Sequence, residues 1–321
     1  MAETSQRPVT QKARALKPGA TIGIVSPSGP VPPEALAEGV ARVEAWGYRA
    51  VVGQHAGFRR GYLAGLDHQR AEDFNALWAD PAVDGILCAR GGYGAMRILD
   101  HIDWNVVRDN PKFFCGFSDI TALHAVMERR AGLVTFHGPM AAALGSAAHY
   151  NAAGLRRAMA AVEPLGLIPL PEEGEDRPVL RTVRSGVAEG QLCGGNLSLL
   201  CALMGTPWEP DFAGRILLIE DVDEAPYRMD RMLMQLLLAG KLQRAAGILF
   251  GHSPTCECGV EGKPSLTLFE VLEDLLVPLG IPILYGYPCG HSGYRVTVPF
   301  GVQARLDATG GALTILEPAL I

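Results

Sequence analysis

Residues 112–124 read KFFCGFSDITALH. Phe113, Phe114, Cys115 and Phe117 form a short apolar run with the length of a buried strand. Ser118 and Asp119 interrupt it, and a helical stretch (DITALHAVMERRAG) begins at once. A strand that turns directly into a helix is half of a β–α unit. The same succession recurs upstream. TIGIVSPSG (21–29) is an apolar strand ending in a Ser/Pro/Gly loop, and Pro32 and Pro33 open a helix through Trp46 with Leu36, Val40 and Val43 at helical spacing. RAVVG (49–53) is a strand, HQRAEDFNALWAD (68–80) an amphipathic helix, and GILCAR (85–90) a strand. The loop GGYG (91–94) and a helix AMRILDHI (95–102) follow. Short strands alternating with helices predict an α/β fold with a parallel sheet covered on both faces. In such sheets ligands bind beyond the carboxyl ends of the strands.

Proline, glycine and acidic residues accumulate across 161–188, and the pattern then resumes. The expected organisation is a disordered tail (1–18), an N-terminal α/β domain (19–165), a linker (166–187) and a C-terminal α/β domain (188–321). In the second half NLSLLCALMG, 227–240 and SLTLFEVLEDLLVPLG read as helices. RILLIEDV (215–222), AAGILFGHS (245–253) and IPILYGYP (281–288) read as strands. The last segment, YRVTVPFGVQARLDATGGALTILE, reads as antiparallel strands joined at ATGG.

Composition narrows the function classes. With 48% hydrophobic and 19% charged residues, the 321-residue chain has ample core material and is not disordered overall. A net charge of −6 gives no basic footprint for nucleic acid. No apolar run approaches the roughly 18 residues of a membrane span. The first residues lack the apolar core of a secretory signal, so a cytoplasmic protein is expected. Seven cysteines, an odd number lying largely in apolar runs, read as small core residues of a reducing compartment.

Three segments could carry nucleophilic chemistry. Ser118, on a tight strand-to-helix turn, has either an exposed hydroxyl beside a positive helix end or the role of an N-cap. Glu220 ends the strand RILLIE, where a carboxylate is costly unless paired, although EDVDE also reads as a solvated strand end. His291 lies in the glycine-flanked loop CGHSGY beyond a strand, where it either projects into a cleft or is an ordinary loop histidine. The order serine–acid–histidine is that of α/β-hydrolases, here divided between two domains. GGYG fits neither a dinucleotide fingerprint nor a Walker loop. Either its glycines only make a tight turn, or the Gly92 N–H joins that of Asp119 in an oxyanion hole. His252, Cys256 and Cys258 form a weak metal pattern, lacking paired spacing.

ARGGYG, GFSDITALH, TFHGPM, CGGNLSLL, LLIEDVDEAPYRMDRML, GILFGH and PCGHS, in this order, resemble the murein LD-carboxypeptidases (muramoyltetrapeptide carboxypeptidases) over nearly the whole chain after residue 20. The resemblance implies a flavodoxin-like N-terminal domain, a smaller mixed α/β C-terminal domain and a homodimer. It implies a Ser118–Glu220–His291 triad, an oxyanion hole from the N–H groups of Gly92 and Asp119, and no metal or cofactor. The implied reaction releases terminal D-alanine from a murein tetrapeptide by hydrolysing an L,D-amide bond during cytoplasmic cell-wall recycling. A carboxypeptidase must hold a terminal carboxylate, and Arg90 and Arg295 are candidates by charge. Tyr93 and Asn196 are candidates to line the cleft, Asn196 being equally suited to cap the following helix. Two alternatives remain: a microcin-immunity-type serine hydrolase of peptidyl or aminoacyl adenylate analogues, and a non-catalytic ligand-binding protein.

Overall fold

A computed structural model describes residues 8–145, 149–172, 179–256 and 264–321. In the first half, strands β1 (Thr21–Val25), β2 (Arg49–Val52), β3 (Gly85–Cys88), β4 (Phe113–Gly116) and β5 (Thr135–His137) pair in parallel in the order β2-β1-β3-β4-β5. This is the flavodoxin-like order. β1, β3 and β4 are buried along their whole length, as central strands covered on both faces must be, whereas β2 sits at an edge and is largely exposed. The intervening helices are α1 (Pro33–Ala45), α2 (Asp67–Ala79), α3 (Trp104–Asp109), α4 (Thr121–Ala131), α5 (Ala141–Leu144) and α6 (His149–Ala160).

The second sheet is mixed. β6 (Gly166–Leu167) and β7 (Arg181–Arg184) lie at its edges. Its parallel centre is β8 (Val187–Asn196), β9 (Ile216–Glu220), β10 (Gly247–Gly251) and β11 (Ile283–Tyr287). Helices α7 (Leu197–Ala202), α8 (Pro226–Leu238) and α9 (Leu268–Leu276) cover one face. Of the last strands, β12 (Val298–Phe300) leaves this half and pairs antiparallel with β5, closing the edge of the first sheet. β13 (Gln303–Asp307) and β14 (Ala312–Ile315) form the expected hairpin across 308–311.

Four expectations change on folding. Residues 95–101 form a 3₁₀ helix, because the Gly94 carbonyl accepts the Arg97 N–H three residues on, the tighter spacing. Residues 166–172 and 179–187, read as linker, contribute β6 and β7; residues 173–178 lie outside the described residues. Val298–Phe300, read as part of the terminal antiparallel unit, belongs to the first sheet. Residues 8–18, read as tail, are fixed: Gln11 bridges to Leu133, and Ala13 and Leu16 are buried. Their apolar side chains find core partners that a local reading does not reveal; residues 1–7 lie outside the described residues.

One apolar core contains residues of both sheets, Ile24, Leu87 and Phe136 with Leu218, Leu249 and Leu284. A continuous apolar interface, with β12 crossing it, holds the two sheets in one relative orientation. That orientation sets the site, since the loops after β3 and β4 meet those after β9 and β11.

Candidate active site

The β4–α4 turn places Ser118 at the carboxyl end of the first sheet. Its φ of 64° is in the left-handed region, unusual for a residue with a side chain, as in a strained nucleophile turn. Its hydroxyl caps neither the 3₁₀ turn nor α4. It lies 3.1 Å from His291 Nε2, and His291 Nδ1 lies 2.7 Å from Glu220 Oε2. Three side chains spread over 173 positions thus form one hydrogen-bonded relay.

Glu220 ends β9 fully buried. Its approach to the histidine loop depends on Gly290, since a Cβ there would stand 2.6 Å from Glu220 Oε2. The carboxylate does not belong to a solvated strand end. Its neighbour Asp221 is also buried and accepts from Asn196 Nδ2, the Ser198 N–H and the Ser198 hydroxyl. Burial pushes the Asp221 carboxyl above its ordinary pKa, and these donors oppose the rise. The Phe117 ring packs against the imidazole of His291 with centroids 5.0 Å apart. It shields one side of the relay from water.

The glycine loop after β3 crosses directly over the serine. A Cβ on Gly91 would lie 2.9 Å from Ser118 Cβ and 3.1 Å from its Oγ. Gly92 follows with φ 114° and lines the same cleft. Buried groups anchor this loop. Asp119 Oδ2 accepts from the Ser28 hydroxyl at 2.6 Å and from the Ala95 N–H at 2.7 Å. The Arg70 guanidinium donates to the Gly94 carbonyl at 2.8 Å and also reaches the Pro27 carbonyl and Asp67. Burial raises the Asp119 pKa, against the lowering effect of its donors, and lowers that of Arg70.

Ser118, His291, Gly91, Gly92, Arg90 and Arg295 line one cleft of about 550 Å³ between the halves. Arg90 is exposed and donates to the Pro30 carbonyl at 3.0 Å. Arg295 is partly buried. Tyr93 points outward, half-exposed, against Tyr62. Asn196 does not line the cleft: it is buried, caps α7 through the Leu199 N–H and donates to Asp221. A cap residue can occupy its helix end or the cleft, and here the helix end holds it.

The other histidines near the serine pack internally. His124 lies between Thr135 Oγ1 and the Gly116 carbonyl, and burial lowers its pKa to about 4. His137 is buried behind Phe117. Of the weighed metal pattern, Cys258 lies outside the described residues. Among the described residues no group of three or more His, Cys, Asp or Glu is arranged to hold a metal ion. Nor is any described helix long and apolar enough to cross a membrane. Sequence reasoning missed Ser28, Arg70, Phe117 and Gly290. The SPSG loop after β1 was a signal for Ser28 by strand-end position, whereas Arg70 looks like any helix-surface arginine.

Comparison with known proteins identifies the family of the chain. The LD-carboxypeptidase N-terminal domain family matches residues 22–138, and the LD-carboxypeptidase C-terminal domain family matches 189–306. A Bacillus subtilis protein named "Probable murein peptide carboxypeptidase" is 40% identical over 92% of this chain and 91% of its own. The muramoyltetrapeptide carboxypeptidase structure from Oxalobacter formigenes superposes with a TM-score of 0.77 at 29% identity, covering 93% of this chain and all of that one. The structure of MccF, a microcin C7 self-immunity protein, in complex with glutamyl sulfamoyl guanosine superposes with a TM-score of 0.89 at 27% identity, over 97% and 99% of the two chains. The chain belongs to the LD-carboxypeptidase family and is a serine-type hydrolase.

Proposed function

We propose that this member of the LD-carboxypeptidase family releases terminal D-alanine from murein tetrapeptides, using Ser118 as nucleophile, His291 as base and Glu220 as orienting acid. The observation that carries the reading is the relay of 3.1 Å and 2.7 Å across the cleft. His291 Nε2 takes the proton as Ser118 Oγ attacks the scissile carbonyl. Glu220, on Nδ1, fixes the tautomer and stabilises the imidazolium. The N–H groups of Gly92 and Asp119 hold the oxyanion, and losing one such donor typically costs about 3–4 kcal/mol. The tetrahedral intermediate collapses as His291 protonates the departing amine of D-alanine. Water, deprotonated by the same imidazole, then hydrolyses the acyl-serine.

Incubation with a tetrapeptide muropeptide, following free D-alanine, tests this. Wild type releases D-alanine and Ser118→Ala does not. Retained release by that variant removes the serine from the mechanism. We place the reaction in cytoplasmic cell-wall recycling and the working species as a homodimer. The exposed stripe Tyr227, Met234 and Leu238 on α8 supports self-association, and sedimentation of Leu238→Asp tests it. The likeness to MccF favours a second reading, hydrolysis of aminoacyl sulfamoyl nucleosides, which predicts glutamate release from glutamyl sulfamoyl guanosine and no D-alanine from the muropeptide.

A further inference from the structure

We propose that Arg295 forms the subsite for the substrate's terminal carboxylate, on the leaving-group side of Ser118; this rests on the carboxypeptidase reading above. Four observations carry it.

Arg295 lines the cleft that contains Ser118 and His291. Its side chain is fixed in advance. Nε donates to the Gly290 carbonyl at 3.2 Å, and the guanidinium carbon stands 5.2 Å from the centroid of the Phe117 ring. Its backbone N–H donates to Asn151 Oδ1 at 2.7 Å, and Asn151 Nδ2 holds the Gly293 carbonyl at 3.1 Å. With Nε engaged, the two Nη groups remain as a planar fork, the geometry that receives a carboxylate with two parallel hydrogen bonds.

The cation also lacks a dedicated counter-ion. Among the described residues Arg295 makes no ion pair with Asp or Glu. The acid whose charge acts on it is Glu220, whose Oε2 is engaged by His291. A guanidinium partly withdrawn from water without a counter-ion is costly, and an arriving anion offsets that cost.

Position in the chain then selects the side of the cleft. Arg295 is tethered to Gly290, the residue before the imidazole that protonates the departing amine. In a C-terminal amino acid the carboxylate is separated from that amine by one carbon. Arg90 adjoins Gly91 in the glycine loop rather than the histidine loop, is exposed, and has its guanidinium on the Pro30 carbonyl. Arg295 thereby makes the enzyme an exopeptidase: a peptide continuing past the scissile bond presents a neutral amide where the fork requires an anion.

The test compares a murein tetrapeptide ending in D-alanine with the same peptide ending in D-alaninamide. Wild type prefers the acid in kcat/KM. In Arg295→Met, with folding checked by thermal melting, the acid loses roughly 10- to 100-fold, the value of a hydrogen-bonded charge, while the amide changes by less than about threefold. Arg295→Lys keeps charge without the fork, so its acid-to-amide ratio falls between the two. That variant decides the matter if the methionine variant fails to fold. An unchanged ratio, an equal loss on both substrates, or collapse of the ratio in Arg90→Met instead overturns the assignment. A wild type that cleaves neither peptide refutes the carboxypeptidase reading itself, and the subsite falls with it.

Discussion

Replacing Glu220 by glutamine isolates the charge at the inner end of the relay. The side chain is fully buried, and glutamine has its shape. The carboxylate oxygen lies 2.7 Å from His291 Nδ1. At an effective dielectric of about 20, attraction between unit charges at that distance is about 6 kcal/mol, an upper figure for what the imidazolium loses in the transition state. A neutral hydrogen bond restores part of it if the amide oxygen faces Nδ1. That orientation leaves the NH₂ where Oε1 now sits, a buried atom without a hydrogen-bond partner, at a cost of about 1–3 kcal/mol. In the opposite orientation the amide N–H faces Nδ1, the ring proton moves to Nε2, and the base is blocked. Both routes lower kcat, by about 10³- to 10⁴-fold, with KM nearly unchanged. The assay is D-alanine release from a murein tetrapeptide, with a urea melt to confirm folding. A folded Glu220→Gln enzyme within tenfold of the wild-type kcat would refute the argument that this charge drives the imidazole.

Three further outcomes follow from the same geometry. Gly290→Ala puts a methyl 2.6 Å from Glu220 Oε2 at a φ of 91°, so both kcat and the urea midpoint should fall, with about 1–3 kcal/mol of stability lost; a fully active, equally stable variant contradicts the close-approach argument. Asp119→Ala strands the Ser28 hydroxyl and the Ala95 N–H, so kcat should drop more than KM rises, while Asp119→Asn, whose amide oxygen can replace Oδ2, restores most of the rate; equal loss in both variants argues against loop positioning. Burial lowers the His124 pKa from its ordinary 6.5 to about 4, so between those values the unfolded chain binds a proton that the folded chain refuses. Stability therefore falls as pH drops from 6.5 towards 4, by on the order of 3 kcal/mol, and urea midpoints of His124→Gln should decline less steeply over that window than those of wild type.

Much of the site is readable one segment at a time. The run from Phe113 to Asp119 gives a buried strand, a turn and a helix start, which puts Ser118 at a strand end. The apolar strand before Glu220 marks a carboxylate that needs a partner. These signals depend on residues within a few positions of one another, where backbone geometry and side-chain period act directly. Gly290 and Phe117 carry no such local mark. Their importance comes from what lies across the cleft, a carboxylate 70 residues upstream in one case and an imidazole 174 residues downstream in the other.

The amino-acid order by itself determined the alternation of strands and helices, the α/β class and the strand-end positions of the serine and the acid, because period and turn chemistry are local. Tertiary structure alone decided that β12 would cross to the first sheet, that residues 8–18 would be ordered, that Asn196 would serve as a cap, and that Arg70 and Asp119 would hold the glycine loop. It also decided that hydroxyl, imidazole and carboxylate would meet. That meeting requires the two sheets to share one apolar core, and the burial that joins them is non-directional, depending on the whole set of packed side chains rather than on any motif.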